Sequence, residues 1–195
     1  MKADLTIAYR ATENGTLNVT QSLKTTPGAE MPEMMRFGMV MNLPYAMDQA
    51  EWYGRGPVEN YSDRKLSQNV GIYKATADQL FYPYVRPQET GTMSDLRWWN
   101  IKDNNGFGLR IESDALFSAS ALHYDLYTLD EGKEKNQRHS QSLPKSQYTN
   151  LFIDLVQAGV GGVDSWSDWG RARKGHRVEY KDYTFSFRIS PKTLY

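Results

Sequence analysis

Leu5-Thr6-Ile7-Ala8-Tyr9-Arg10, then Glu13-Asn14-Gly15-Thr16, then Leu17-Asn18-Val19-Thr20-Gln21-Ser22-Leu23: apolar and polar residues alternate on both sides of a tight-turn signal. Period-two alternation is the pattern of a half-buried strand. Asn-Gly supplies the positive φ that a tight hairpin turn needs. The same grammar recurs along the chain. Arg97 to Lys102 and Gly106 to Glu112 flank Asp103-Asn104-Asn105-Gly106, a second hairpin. Arg36 to Leu43, Gln49 to Gly54, Phe117 to Tyr124, Tyr148 to Leu155 and Tyr180 to Ile189 read as further strands. Thr26-Pro27-Gly28 and Pro32 break the pattern, Arg55 to Asn69 is a long polar loop, and Val70 to Leu80 holds a short strand or a helical turn. Thr128 to Gln141 is charged, with one helical turn expected at Leu126 to Glu131. Ten or so short strands punctuated by turns predict an all-β fold, a large antiparallel β-sandwich, as one domain over residues 1–195.

Composition agrees. Among 195 residues aromatics make up 13%, led by 13 tyrosines and 5 tryptophans, which suits strands and polar-tipped aromatic surfaces. Lys plus Arg equals Asp plus Glu at 23 each, so no basic face is implied and nucleic acid is not an expected partner. The absence of cysteine removes disulfides, thiolate zinc sites and thiol nucleophiles together, and leaves the compartment unknown. No apolar run reaches membrane-spanning length, so no membrane partner is expected. Met1-Lys2-Ala3-Asp4-Leu5 carries no signal-peptide core and opens directly into a strand pattern, which suggests an excised domain with an added Met.

The segment with the most chemistry is Gly159-Val160-Gly161-Gly162-Val163-Asp164-Ser165-Trp166-Ser167-Asp168-Trp169-Gly170. Its glycines release the backbone from ordinary steric limits. Small polar residues and acids bracket the two tryptophans, as in an exposed loop that offers an indole to a ligand. A flat indole suits the apolar C–H face of a sugar. The alternative, that both indoles are packing, stays open at this level.

Two more motifs precede it: Trp52-Tyr53-Gly54-Arg55-Gly56-Pro57-Val58-Glu59-Asn60-Tyr61-Ser62-Asp63-Arg64 and Tyr82-Pro83-Tyr84-Val85-Arg86-Pro87-Gln88-Glu89-Thr90-Gly91. In this order and spacing the three motifs resemble the C-terminal domain of large bacterial β-galactosidases of the second glycoside hydrolase family. The resemblance runs over nearly the whole chain. It implies a supersandwich fold similar to galactose mutarotases. It also implies a division of labour. The nucleophile and acid/base glutamates lie in a separate TIM-barrel domain, while this domain completes the galactoside pocket without catalytic residues of its own. Trp166 matches the tryptophan that walls the pocket, with Asp164 and Ser165 beside it as substrate-site residues that lock the loop. The family often has two acids before Ser-Trp; here Val163 replaces the first, so no role is carried over for it. No cofactor or metal is expected in this domain, and any Mg or Na of the whole enzyme would be held by other domains.

Two other readings are kept open, a stand-alone sugar-binding module and an aldose 1-epimerase-like protein. Retaining glycoside hydrolysis needs two carboxyls about 5–5.5 Å apart, and Glu59, Asp63, Glu89 and Asp95 all lie in polar loops. For Glu59, Asp63 and Arg64 the simpler role is to fix loop shape through ion pairs and backbone hydrogen bonds. An epimerase would need a general acid and base over the sugar, and His123 with Glu89 is the pairing that reading requires. His139 and His176 are expected at the solvated surface, and His123 in a hydrogen-bonded structural role. The basic run Arg171 to Arg177 reads as a solvated hairpin tip. Trp98-Trp99 places indoles on opposite faces of one strand, one of them core, and Trp52 is expected to pack inside the sandwich.

Overall fold

A computed structural model describes residues 3–29, 31–130, 138–164 and 167–193. Among them nine strands are formed: β1 (Ala3–Ala11), β2 (Leu17–Thr25), β3 (Arg36–Pro44), β4 (Gln49–Gly56), β5 (Asn69–Thr76), β6 (Met93–Lys102), β7 (Phe107–Leu122), β8 (Tyr148–Gln157) and β9 (Tyr183–Thr193). Two single helical turns interrupt them, α1 (Ala77–Leu80) and α2 (Leu126–Leu129), with 3-10 turns at Ser140–Ser142 and Asp168–Gly170. Every ladder is antiparallel. The strands follow the order β1-β2-β9-β7-β6-β4-β5, and β8 pairs with both β7 and β3.

β7 is where the sheet divides. One edge pairs with β6 along its length. The other pairs with β9 over residues 107–112 and with β8 over residues 118–122. Two branches, β9-β2-β1 and β8-β3, therefore leave the same strand and face each other. Phe37 of β3 stacks on Tyr183 of β9 at 5.4 Å between ring centroids. The result is an all-β sandwich, as the alternation predicts.

Glu112 and Phe117 are ends of separate strands in the sequence reading; the structure joins them into the single β7, which lowers the strand count. Ser113-Asp114-Ala115 interrupts the apolar pattern because this stretch is the exchange point, where β9 ends as partner and β8 begins. The Ser113 hydroxyl donates to the Ser186 carbonyl there at 2.8 Å. Register shifts in β6 between Met93 and Trp98 absorb the bend, with Asp95 at φ +53. Both hairpin turns form as predicted, with Gly15 at φ +81 and Gly106 at φ +82. Val70 to Leu80 supplies a strand and a helical turn in succession, β5 and α1.

The core is read directly from the alternation. In β9, Phe185, Phe187 and Ile189 are buried while Thr184, Ser186 and Arg188 are exposed. Trp52 and Trp99 sit directly opposite each other in the β4–β6 ladder, fully buried, with rings stacked at 5.3 Å. Trp98 points to the other face, half-buried under the Arg110 guanidinium 4.4 Å above its ring.

Candidate functional site

The loop from Pro57 to Gln68 ties the three motifs together. Its anchor is Arg55, at the end of β4, whose guanidinium donates to Asp95 at 2.5 Å and to the Gln68 carbonyl at 2.7 Å. Lys65 closes the same corner onto Asp95 at 2.7 Å. These two cations hold the Asp95 carboxyl below the usual range against the opposing effect of its burial. Asn60 is completely buried. Its side-chain oxygen accepts from the Ser94 amide at 3.0 Å, its side-chain nitrogen donates to the Val58 carbonyl at 2.9 Å, and its amide donates to Thr92 at 2.7 Å. A buried amide with both ends satisfied fixes a loop in one conformation.

Glu59 reaches the second motif. Its carboxylate accepts from the Gly91 amide at 2.7 Å, from Arg64 at 2.5 Å, from the Tyr61 hydroxyl at 3.2 Å and from the Tyr84 hydroxyl. Burial first, then the nearby Glu89 and Glu59 charges, push the Tyr61 phenol well above its ordinary value. Burial and the Glu59 hydrogen bond raise the Tyr84 phenol as well, against Arg64, so both rings stay protonated donors. Asp63 reaches the third motif, accepting from the amides of Val160 at 3.2 Å and Gly161 at 2.8 Å.

That contact requires glycine. A Cβ on Gly159 would stand 2.2 Å from an Asp63 oxygen, and one on Gly162 would stand 2.4 Å from the Gly170 carbonyl oxygen. The loop then closes on itself. Val163 donates to the Trp169 carbonyl at 2.8 Å and Gly159 to the His176 carbonyl at 2.7 Å. Asp164 caps the next turn, accepting from the Ser167 amide at 2.9 Å and hydroxyl at 2.6 Å.

Beside this loop lies an open cleft of about 540 Å³, lined by Gln88 and Glu89 of the second motif and by Gly159, Val160, Ser167 and Gly170 of the third. Arg171 and Arg177 cross its rim to Glu33, at 2.6 and 3.2 Å. The Arg171 hydrogen bond, with Arg177 behind it, holds the Glu33 carboxyl below its usual range. Glu89 is engaged from below, by Arg36 at 3.2 Å and the Thr92 hydroxyl at 3.0 Å. Arg36 also faces Asp154 of β8 at 3.4 Å. Burial raises the Asp154 carboxyl to about 7, with Arg36 opposing and Glu89 adding to the rise. Among the described residues no group of three or more His, Asp or Glu is placed to hold a metal ion.

The model of the family described as β-galactosidase small chain matches residues 1–189. The chain belongs to the β-galactosidase small-chain family. It is 32% identical over 186 residues to the β-galactosidase of Priestia megaterium, covering 95% of this chain and 17% of that protein. To the β-galactosidase of Lactobacillus delbrueckii subsp. bulgaricus it is 36% identical over 168 residues, 85% of this chain and 16% of the relative. To β-galactosidase BgaC of Bifidobacterium adolescentis it is 33% identical over 168 residues, 85% and 15% respectively. The chain thus spans about a sixth of the length of these relatives.

Within this small-chain domain the structure brings Asp164 to the loop beside the cleft; Ser165 and Trp166 lie outside the described residues. Trp169, which the sequence leaves unassigned, is 73% exposed on its 3-10 turn. Glu59, Asp63 and Arg64 fix loop shape, as expected. The His123–Glu89 pairing is not made. His123 is buried, stacked on Tyr45 at 3.8 Å, with Nδ1 on Asp78 at 3.1 Å and Nε2 near the Thr149 hydroxyl at 3.1 Å and the Tyr45 carbonyl at 3.3 Å. The β7–β8 register carries it to the α1 end of the sandwich, while Glu89 is held by Arg36. The basic run is solvated as expected at Arg171, Arg173, Lys174 and Gly175, about a turn closed by the His176 amide on the Arg173 carbonyl at 2.9 Å; among the described residues no paired strands flank it, and Arg171 and Arg177 reach Glu33 while Arg177 also donates to the Ala172 carbonyl. His139 is exposed and His176 half-buried. Arg36 and Asp154 escaped the sequence reading; a lone acid inside the apolar run of β8 was the available signal.

Proposed function

We propose that this chain is the C-terminal domain of a β-galactosidase that hydrolyses terminal β-galactosides with retention, and that it completes the substrate pocket without supplying the catalytic glutamates. Family membership over residues 1–189 is the observation that carries this reading. The geometry supports a positioning role. The first motif straps the second through Glu59 and the third through Asp63, so the cleft between them has a rigid wall. The role proposed for Trp166 is to stack on the sugar or aglycone, and for Asp164 and Ser165 to hold its loop. Stacking of this kind acts through orientation and not through proton transfer.

Two of the acids that line the cleft, Glu33 and Glu89, are engaged otherwise. Glu33 and Glu89 are each tied to arginine, and a glycosidic general acid needs a raised pKa, not the lowered one of Glu33. In this reading the nucleophile and the acid/base come from a TIM barrel elsewhere in the full-length protein, which is this domain's main partner. Any Mg or Na belongs to those other domains. In the full-length enzyme Trp166→Ala is expected to raise KM for a β-galactoside by about tenfold or more, on the scale of about 1–3 kcal/mol for a lost stacking contact, with the fold intact by circular dichroism. Unchanged KM and kcat would refute the role.

A further inference from the structure

Four of the five tryptophans lie among the described residues, and three of those four are packed. Trp52 and Trp99 are fully buried against each other, and Trp98 is half-buried under Arg110. Trp169 is the exception at 73% exposure. Tryptophan is highly buried on average, and a packed aromatic takes about 150–250 Å² out of water. Among the described residues no ring or cation packs on the Trp169 indole. Val163, whose amide donates to the Trp169 carbonyl at 2.8 Å, is 69% exposed beside it. Two apolar side chains therefore stand in water on one loop.

Their backbone is held from several directions. The Trp169 amide donates to the Ser167 hydroxyl at 3.1 Å, and that hydroxyl donates to Asp164 at 2.6 Å. The Gly170 amide donates to the Ser167 carbonyl at 2.9 Å. A Cβ on Gly170 would stand 3.0 Å from the Asp164 carbonyl oxygen, so the turn is closed tightly on the residues before it. A group ordered before binding loses little entropy in binding. Ser167 and Gly170 both line the cleft beside the glycine loop, whereas Trp169 between them does not. Whatever meets this indole therefore lies outside the cleft and next to it.

We propose that Trp169 is a second stacking platform, which takes the saccharide units of longer galactosides where they extend out of the cleft. This rests on the reading of the cleft as part of a galactoside pocket, and it adds a preference for chain length. The surroundings select a saccharide over an apolar protein surface. Ser167 before the indole and Arg171, Arg173 and Lys174 after it are exposed, and the centre of a protein interface is depleted in charged residues. A saccharide offers C–H groups to the indole and hydroxyls to these polar neighbours. A short galactoside that stays within the cleft does not reach Trp169; a longer one does.

The test compares two probes in the full-length enzyme, a β-linked galactosyl tetrasaccharide and methyl β-galactoside. Specificity is the ratio of their kcat/KM values. Trp169→Ala is expected to lower that ratio about tenfold, the scale of one lost aromatic contact, and to do so through KM for the tetrasaccharide. Trp169→Phe keeps a ring and should recover part of the loss. An unchanged ratio overturns the proposal. An unchanged ratio with a lowered thermal midpoint also overturns it, by assigning the indole to packing against another domain. Trp166→Ala separates this inference from the reading beneath it, because that variant should weaken both probes alike. A wild-type enzyme that hydrolyses neither probe refutes the proposed function and this inference with it; hydrolysis with a ratio indifferent to Trp169 refutes this inference alone.

Discussion

Gly159 and Asp63 are where the third motif closes on the first. The carboxylate occupies the space a Cβ on Gly159 would need, at 2.2 Å, whereas a Cβ on Gly161 would keep 3.1 Å. Gly159→Ala must therefore move either Asp63 or the loop, and the loop's hydrogen bonds to Asp63 resist both. The expected cost is about 1–3 kcal/mol of stability, typical of forced overpacking, with a smaller cost for Gly161→Ala. If the carboxylate is the obstacle, Gly159→Ala should cost less in an Asp63→Ala background. Thermal midpoints of the two single variants and the double variant measure that coupling. Equal costs in both backgrounds would remove Asp63 as the reason for the glycine.

The loop between β4 and β5 behaves as a strap because its acids accept from backbone and side chains on other elements. Glu59→Gln keeps the shape but removes the charge that Arg64 pairs with, and places an amide donor among donors. It should cost about 1–3 kcal/mol, the range for leaving buried polar groups badly paired, and speed amide exchange at Gly91, whose N–H rests on Glu59. An unchanged Gly91 rate would show that the second motif stands without the strap. Strands such as β2, β3 and β9 are legible from alternation alone, whereas β8, buried on both faces from Thr149 to Asp154, is legible as a short apolar run. The turns are legible from Asn14-Gly15 and Asn105-Gly106, which leave few other backbone choices. The shape-fixing role of Glu59 and Asp63 follows from their places in a long polar loop. What alternation does not carry is register across distant strands. The single β7, the meeting of His123 with Asp78, and that of Arg36 with Asp154 all depend on which residues lie opposite one another many positions apart. Trp166 is legible only as a residue type in a loop suited to binding.

At the scale of the molecule, Asp154 makes stability depend on pH. It lies in β8, 2% exposed, where it couples β3 through Arg36 and, beyond Arg36, the loop carrying Glu89. Burial raises its carboxyl from 3.8 to about 7, so between those values the folded chain holds a proton that the unfolded chain has released. The stability this contributes is full below pH about 4 and is lost as pH rises through about 7. A difference of about three units is worth at most about 4 kcal/mol. Asp182 acts in the opposite sense. The Thr25 amide, Lys24 and the Thr25 hydroxyl lower it to about 2, so its contribution is present above about 4 and lost as pH falls through about 2. Together the two groups favour a mildly acidic optimum, between the range where Asp182 protonates and the range where Asp154 ionises. Asp154→Asn keeps the volume and removes the ionisation. Urea unfolding at pH 5 and pH 8 should show the wild-type chain losing stability at the higher pH while the variant loses much less. A wild-type slope that survives the substitution would move its origin to another group.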